Sequence, residues 1–235
     1  MYAAYFAYAL LAALATALLV AAFTDLKRRE IDNALNLGIA LAAPLWWLAM
    51  GYGWADVGYQ IALAFGTFVI ACLLFIIRQM GGGDVKLLTA LALWFAPAHF
   101  LMLVVLMAVV GGGASVAMAA CNMQRRPGEI LRDVAAWLAA AGWVWLTAAL
   151  TWALATGRPL FAPELLARTT ALTAAVTGLA IVILFTLAFA HIQRRQKSKL
   201  RVPYGVAIAA AGLWVLVDRT ISAVPANSIL GTITG

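Results

Sequence analysis

Long apolar runs separated by short polar links make up this chain. Eight runs can be read: Tyr2–Thr24, Ala34–Met50, Val57–Ile77, Val85–Phe95, Phe100–Ala120, Val134–Thr156, Thr170–Ala190 and Pro203–Val217. A helix needs about 20 mostly apolar residues to cross the hydrocarbon core of a bilayer, and most of these runs approach that length. The fourth is short and stops before Pro97, and the eighth is also short. The sixth reads as lying partly in the interface. Gly111-Gly112-Gly113 interrupts the fifth, where small residues permit close helix packing. The pattern predicts an all-α polytopic membrane bundle of about eight transmembrane helices, with residues 1–235 as one membrane domain. Residues 121–133 and 157–169 read as polar loops. The first run lacks a basic leading segment and exceeds the apolar length of a signal peptide, so it reads as a retained span.

Composition narrows the class further. The 235 residues are 66% hydrophobic and 11% charged, and the mean hydropathy is +0.98. Ordinary soluble domains run near about 45–50% apolar and about 25% charged. A water-soluble enzyme and a disordered chain are both excluded.

The net charge of +7 has a topological reading. Lys27, Arg28 and Arg29 follow the first run, Arg78 the third, and Arg125, Arg126 and Arg132 the fifth. Arg194, Arg195, Lys197, Lys199 and Arg201 follow the seventh. With Lys86, these fall on one side of an eight-span bundle, and Arg158, Arg168 and Arg219 fall on the other. The positive-inside rule places the richer face in the cytoplasm and both termini outside. Nucleic acid is not needed to explain the charge. The cluster Arg194–Arg201 reads as an anchor on anionic lipid.

Two acids fall at comparable depth on the basic face. Asp25 ends the first run, and Asp84 opens the fourth in Gly81-Gly82-Gly83-Asp84-Val85-Lys86-Leu87-Leu88. Ionisable residues at such positions are functional candidates. Two close carboxyls share one proton: the ionised one can take a proton from water, and the other can hydrogen-bond an amide carbonyl. Such a pair needs no metal and no cofactor. The glycines let the backbone bend or approach a partner closely, and an extended substrate could pair with that backbone.

The segment GGGDVKLL resembles the signature of the GxGD aspartic membrane proteases, in particular the type IV prepilin peptidase family. Asp25 to Asn33 is similar to that family's first motif, an Asp followed by Ile-Pro-Asn, with Ile31-Asp32-Asn33 at the end. Pro203-Tyr204-Gly205 is similar to its late motif, a Pro-aromatic-Gly run opening the last span. The resemblance implies an inner-membrane endopeptidase that removes a basic leader from prepilin-like or pseudopilin precursors on the cytoplasmic face. Asp25 and Asp84 match its catalytic aspartates. Gly81, Gly82, Gly83, Lys86, Asn33, Pro203, Tyr204 and Gly205 match its active-site or substrate-binding segments. Asp32 replaces the motif's Pro and is expected to N-cap the second helix. Only nine residues, Asp25–Asn33, join the first two runs. The large insert with paired CxxC motifs is absent, so N-methylation and S-adenosylmethionine are not expected. The chain is most similar to the small Tad/Flp-type prepilin peptidases and the archaeal preflagellin peptidases. The extra segment, about 121–200, has no assigned role.

Other chemistry reads more simply. Lys86 is a topology-setting charge or a neighbour that tunes Asp84. Asp56 and Asp218 fall on the opposite face, with Arg219 as a partner for Asp218. Glu129 and Asp133 read as solvated. His99 and His191 lack partners at metal-ligand spacing, and Cys72 and Cys121 read as buried free thiols. Trp46, Trp47, Trp143, Trp145 and Trp152 fit interfacial belts and packing. Two further functions fit the acids: a small secondary transporter using Asp25 and Asp84 as proton or cation sites, and a non-catalytic assembly scaffold. Absence of an internal repeat and the edge position of both acids speak against transport.

Overall fold

The computed structural model describes residues 2–124, 128–160, 164, 170–198 and 202–222. Eight helices form among them: α1 Tyr2–Arg28, α2 Asn33–Ala49, α3 Trp54–Ile76, α4 Gly82–Ala92, α5 Pro97–Cys121, α6 Ile130–Thr156, α7 Ala171–Arg194 and α8 Tyr204–Ser222. No strand forms among the described residues, beyond one isolated antiparallel bridge between Met123 and Gln196. Five helices are long and apolar enough to cross a membrane, namely α1, α3, α5, α6 and α7, and α2 and the start of α8 are shorter apolar helices. This is a polytopic helical membrane protein.

Two compact units are present, one of residues 1–107 with 203–235 and one of residues 108–202. The extra hydrophobic segment falls in the second. Arg125, Arg126, Lys199, Arg201 and most of the 157–169 loop, Arg168 included, lie outside the described residues, as does the side chain of Arg219.

In the first unit α4 packs against α2, α3 and α8, and α1 packs against α2 and α8. With 11 residues, α4 reaches only about 16 Å, too short to cross a bilayer alone. Seven of the 11 are buried. A buried helix end strands its last carbonyls, and hydrocarbon offers no water to satisfy them. Side chains do so here. Gln60 Nε2 on α3 donates to the Ala92 carbonyl at 2.9 Å and the Phe95 carbonyl at 2.6 Å. Trp47 Nε1 on α2 donates to the Leu93 carbonyl at 2.8 Å. Trp94 Nε1, just past α4, donates to the Ile39 carbonyl at 2.8 Å, and its ring stacks on Trp46. The tryptophan expectation therefore splits. Trp46, Trp47 and Trp143 pack or hydrogen-bond inside their units, whereas Trp145 and Trp152 are exposed.

The link from α1 to α2 turns at Arg29, whose φ of 58° lies in the left-handed region that side chains seldom adopt. Beyond that turn Ile31 returns to the interior, 7% exposed. Asp32 occupies the N-cap position of α2 as expected, but its side chain makes no capping hydrogen bond.

In the second unit a Cβ on Gly113 would fall on the Thr147 side chain, so this glycine lets α5 and α6 approach closely. Asp133 corrects an expectation, because it is buried rather than solvated. Its Oδ1 pairs with His191 Nε2 at 2.8 Å and with an Arg195 guanidinium nitrogen at 3.0 Å. Arg195 also reaches Glu129 at 2.6 Å. Periodicity alone could not show this, since the partners come from residues 58 and 62 positions away. Cys72 and Cys121 are free, but Cys121 is exposed and Cys72 half-buried, so neither is a fully buried thiol.

Candidate functional site

Both acids are buried, Asp25 at 6% exposure and Asp84 at 8%. Each sits on a helix N-terminus, where unpaired backbone N–H groups and the helix dipole favour an anion. Asp84 is the third residue of α4, and its Oδ2 accepts the Gly81 N–H at 3.2 Å. Asp25 serves a helix that is not its own. Its Oδ2 accepts the Val206 N–H of α8 at 3.3 Å.

This geometry explains the glycines. A Cβ on Gly81 would lie 2.9 Å from Asp84 Oδ2, and a Cβ on Gly205 would lie 2.8 Å from Asp25 Oδ2. Each carboxylate oxygen thus occupies space that any other residue would fill. Gly83 and Gly205 also face Ile31, where added Cβ atoms would lie 3.3 Å from its Cβ and 2.7 Å from its Cδ1. Ile31 is the shared wedge between the start of α4 and the start of α8. Gly82 has only an ordinary contact, 3.5 Å to the Phe75 ring. Close approach rather than left-handed backbone is what these glycines supply, since positive φ is confined among the described glycines to Gly51, Gly128 and Gly157. Strand pairing with this backbone is corrected, because Gly82 and Gly83 are already helical.

The first turn of α2 grips the same segment. Lys86 Nζ donates to Asn33 Oδ1 at 2.7 Å, so Lys86 ties two motif segments together. Asn36 Nδ2 donates to the Gly83 carbonyl at 3.4 Å. Pro203 precedes α8, and its carbonyl accepts the Val206 N–H at 3.2 Å. Tyr204, the first residue of α8, is half-buried. Burial pushes the Asp84 carboxyl up to about 6, with the charge of Asp25 as the second cause and the Gly81 N–H opposing both.

Sequence reasoning missed Ile31 as a wedge, Val206 as a donor, and Asn36. Asn36 carried a readable signal, a polar residue inside an apolar run. Val206 carried none, because a backbone N–H has no sequence signature.

Two buried acids held at helix N-termini in a helical membrane unit define a candidate hydrolytic site. Residues 12–116, which contain both acids, match the type IV leader peptidase family. The late motif Pro203-Tyr204-Gly205 lies beyond the matched residues. Over 79 residues the chain is 42% identical to the prepilin peptidase EppA of Methanocaldococcus jannaschii, covering 34% of this chain and 21% of that protein. The match thus spans about a fifth of the relative's length. No solved structure matches the chain.

Proposed function

We propose that the protein is an aspartic endopeptidase that removes the basic leader from prepilin-like or pseudopilin precursors. It works at the cytoplasmic face of the inner membrane and carries no N-methyltransferase activity. The observation that carries this reading is that Asp25 and Asp84 are each buried and each accept a backbone N–H at a helix N-terminus, within residues that match a leader peptidase family.

The two acids divide the work. Asp84, whose proton is held to about pH 6, hydrogen-bonds the scissile carbonyl. Asp25, seated on the Val206 N–H, acts as the carboxylate that takes a proton from water. The water oxygen bonds to the carbonyl carbon, the tetrahedral intermediate collapses, and the amine leaves with a proton from the pair. The apolar helix of the cleaved product stays in the bilayer. The arrangement of basic residues supports a cytoplasmic site, and the nine-residue link Asp25–Asn33 supports the absence of a methyltransferase insert.

The test is a gel shift of a co-expressed precursor. Asp25→Asn and Asp84→Asn should each reduce cleavage by at least about 1,000-fold while the protein stays in the membrane, in line with the loss of a positioned acid or base. Cleavage at the unaltered rate by either variant overturns the proposal. Proton-coupled uptake into vesicles without cleavage would instead favour a transporter.

A further inference from the structure

Asn36 combines two observations that packing does not explain. It stands near the start of α2 at 4% exposure, and its Nδ2 holds the Gly83 carbonyl, in the peptide that leads into Asp84. Its Oδ1 is buried and has no hydrogen-bond partner among the described residues. A buried acceptor left unmatched costs on the order of 1–3 kcal/mol, a cost that an apolar side chain of similar shape would not carry. Asn33, three residues earlier, differs in both respects, being engaged by Lys86 in an exposed hydrogen bond. An amide at position 36 therefore holds the start of α4 with its Nδ2 and leaves its Oδ1 without a partner among the described residues.

Resting on the leader-peptidase reading, we propose that Asn36 is a positioning residue with a substrate-facing half. Nδ2 holds the Gly83–Asp84 peptide in place, and Oδ1 accepts a main-chain N–H of the extended precursor next to the cleaved bond. The chemistry of the ligand supports this assignment. A peptide entering a buried site loses water from its N–H groups, and each needs an acceptor. A neutral amide oxygen supplies one without adding a third negative charge beside Asp25 and Asp84.

The experiment uses the full chain in phospholipid nanodiscs and a precursor peptide carrying the leader and the first turns of the apolar helix. A set of such peptides bears a single N-methyl group, moved one amide at a time across the cleavage point. Each is assayed with the unaltered enzyme, Asn36→Leu and Asn36→Thr. Asn36→Leu should lose at least about 30-fold in kcat/KM, and Asn36→Thr, which keeps a donor and an acceptor, should recover part of it. At one amide position, N-methylation should raise KM about tenfold for the unaltered enzyme and add nothing for Asn36→Leu, the non-additivity expected of direct partners. Additive losses at every position, or an Asn36→Leu enzyme with unaltered kcat/KM, overturn the assignment. If Asn36→Leu does not fold, the scan with the unaltered enzyme and Asn36→Thr decides, and equal losses at every position in both reject it. Failure of the unaltered enzyme to cleave any precursor, or cleavage by Asp25→Asn, is a separate result that removes the peptidase reading and this assignment with it.

Discussion

The Val206 N–H donates to Asp25 Oδ2 across 3.3 Å, joining residues 181 positions apart. This bond makes Asp25 the capping group of a helix to which it does not belong. It also makes the glycine at 205 part of the seat of the acid, because the carboxylate rests where a side chain would begin.

Gly205→Ala tests that seat. Its Cβ would meet Asp25 Oδ2 at 2.8 Å and Ile31 Cδ1 at 2.7 Å, so the carboxylate must move. Precursor cleavage should fall at least about tenfold, or about 1.4 kcal/mol in the barrier. Gly38→Ala is the matched control, since nothing lies within 4 Å of the added atom, and its rate should equal that of the unaltered protein.

The wedge at Ile31 predicts coupling between two substitutions. Gly83→Val should impair cleavage, because even the first added carbon lies 3.3 Å from Ile31 Cβ. Ile31→Gly in the same chain removes that Cβ, at a stability cost of at least about 2–5 kcal/mol for a buried isoleucine. The pair should cleave faster than Gly83→Val alone, measured as precursor processed per unit of folded enzyme.

Gln60→Leu removes the donor to the Ala92 and Phe95 carbonyls at the end of α4. Each stranded carbonyl costs about 1–3 kcal/mol. The melting temperature in detergent should drop by several degrees. An unchanged value would mean that these carbonyls find other partners.

The pH profile follows from Asp84. Its carboxyl is raised to about 6, so the proton that the proposed mechanism offers to the scissile carbonyl is lost as pH climbs through that value. Cleavage should therefore decline on the alkaline side from about pH 6 upward. The Gly81 N–H lowers this value, and the Cβ of Gly81→Ala would lie 2.9 Å from Asp84 Oδ2 and push the oxygen off that donor. The residual activity of Gly81→Ala should decline at a higher pH, as read from initial rates taken from roughly two units below to roughly three units above pH 6.

Asp133→Ala should destabilise the second unit by about 3–5 kcal/mol, because it leaves the half-buried Arg195 and His191 without their shared, buried carboxylate. Arg132→Gln is the contrast. Its contact with Glu129 spans 3.9 Å at an exposed surface, and its loss should change stability by less than about 1 kcal/mol. Thermal unfolding in one detergent compares the two.

Much of the fold was legible because membrane solvation is a local rule. Apolar length alone marks α1, α3 and α7, and the glycines and proline punctuate α4, α5 and α8. Asp25 and Asp84 were legible for the same reason, as charges at the ends of apolar runs. Asp133 was misread because its neighbours in sequence are polar, and its burial depends on His191 and Arg195 arriving from α7 and its end.

By itself, the order of residues determined a helical membrane protein, the approximate positions of its helices, the two acids and the motifs around them, since hydropathy and short spacing act within a few turns. Only the tertiary structure decided that Asp25 caps α8, that Ile31 wedges Gly83 and Gly205, that Gln60 and Trp47 finish α4, and that Asn36 keeps an empty acceptor. Those facts depend on which backbone groups meet once the helices pack, and a carbonyl or N–H looks the same at every position of the chain until packing removes its water.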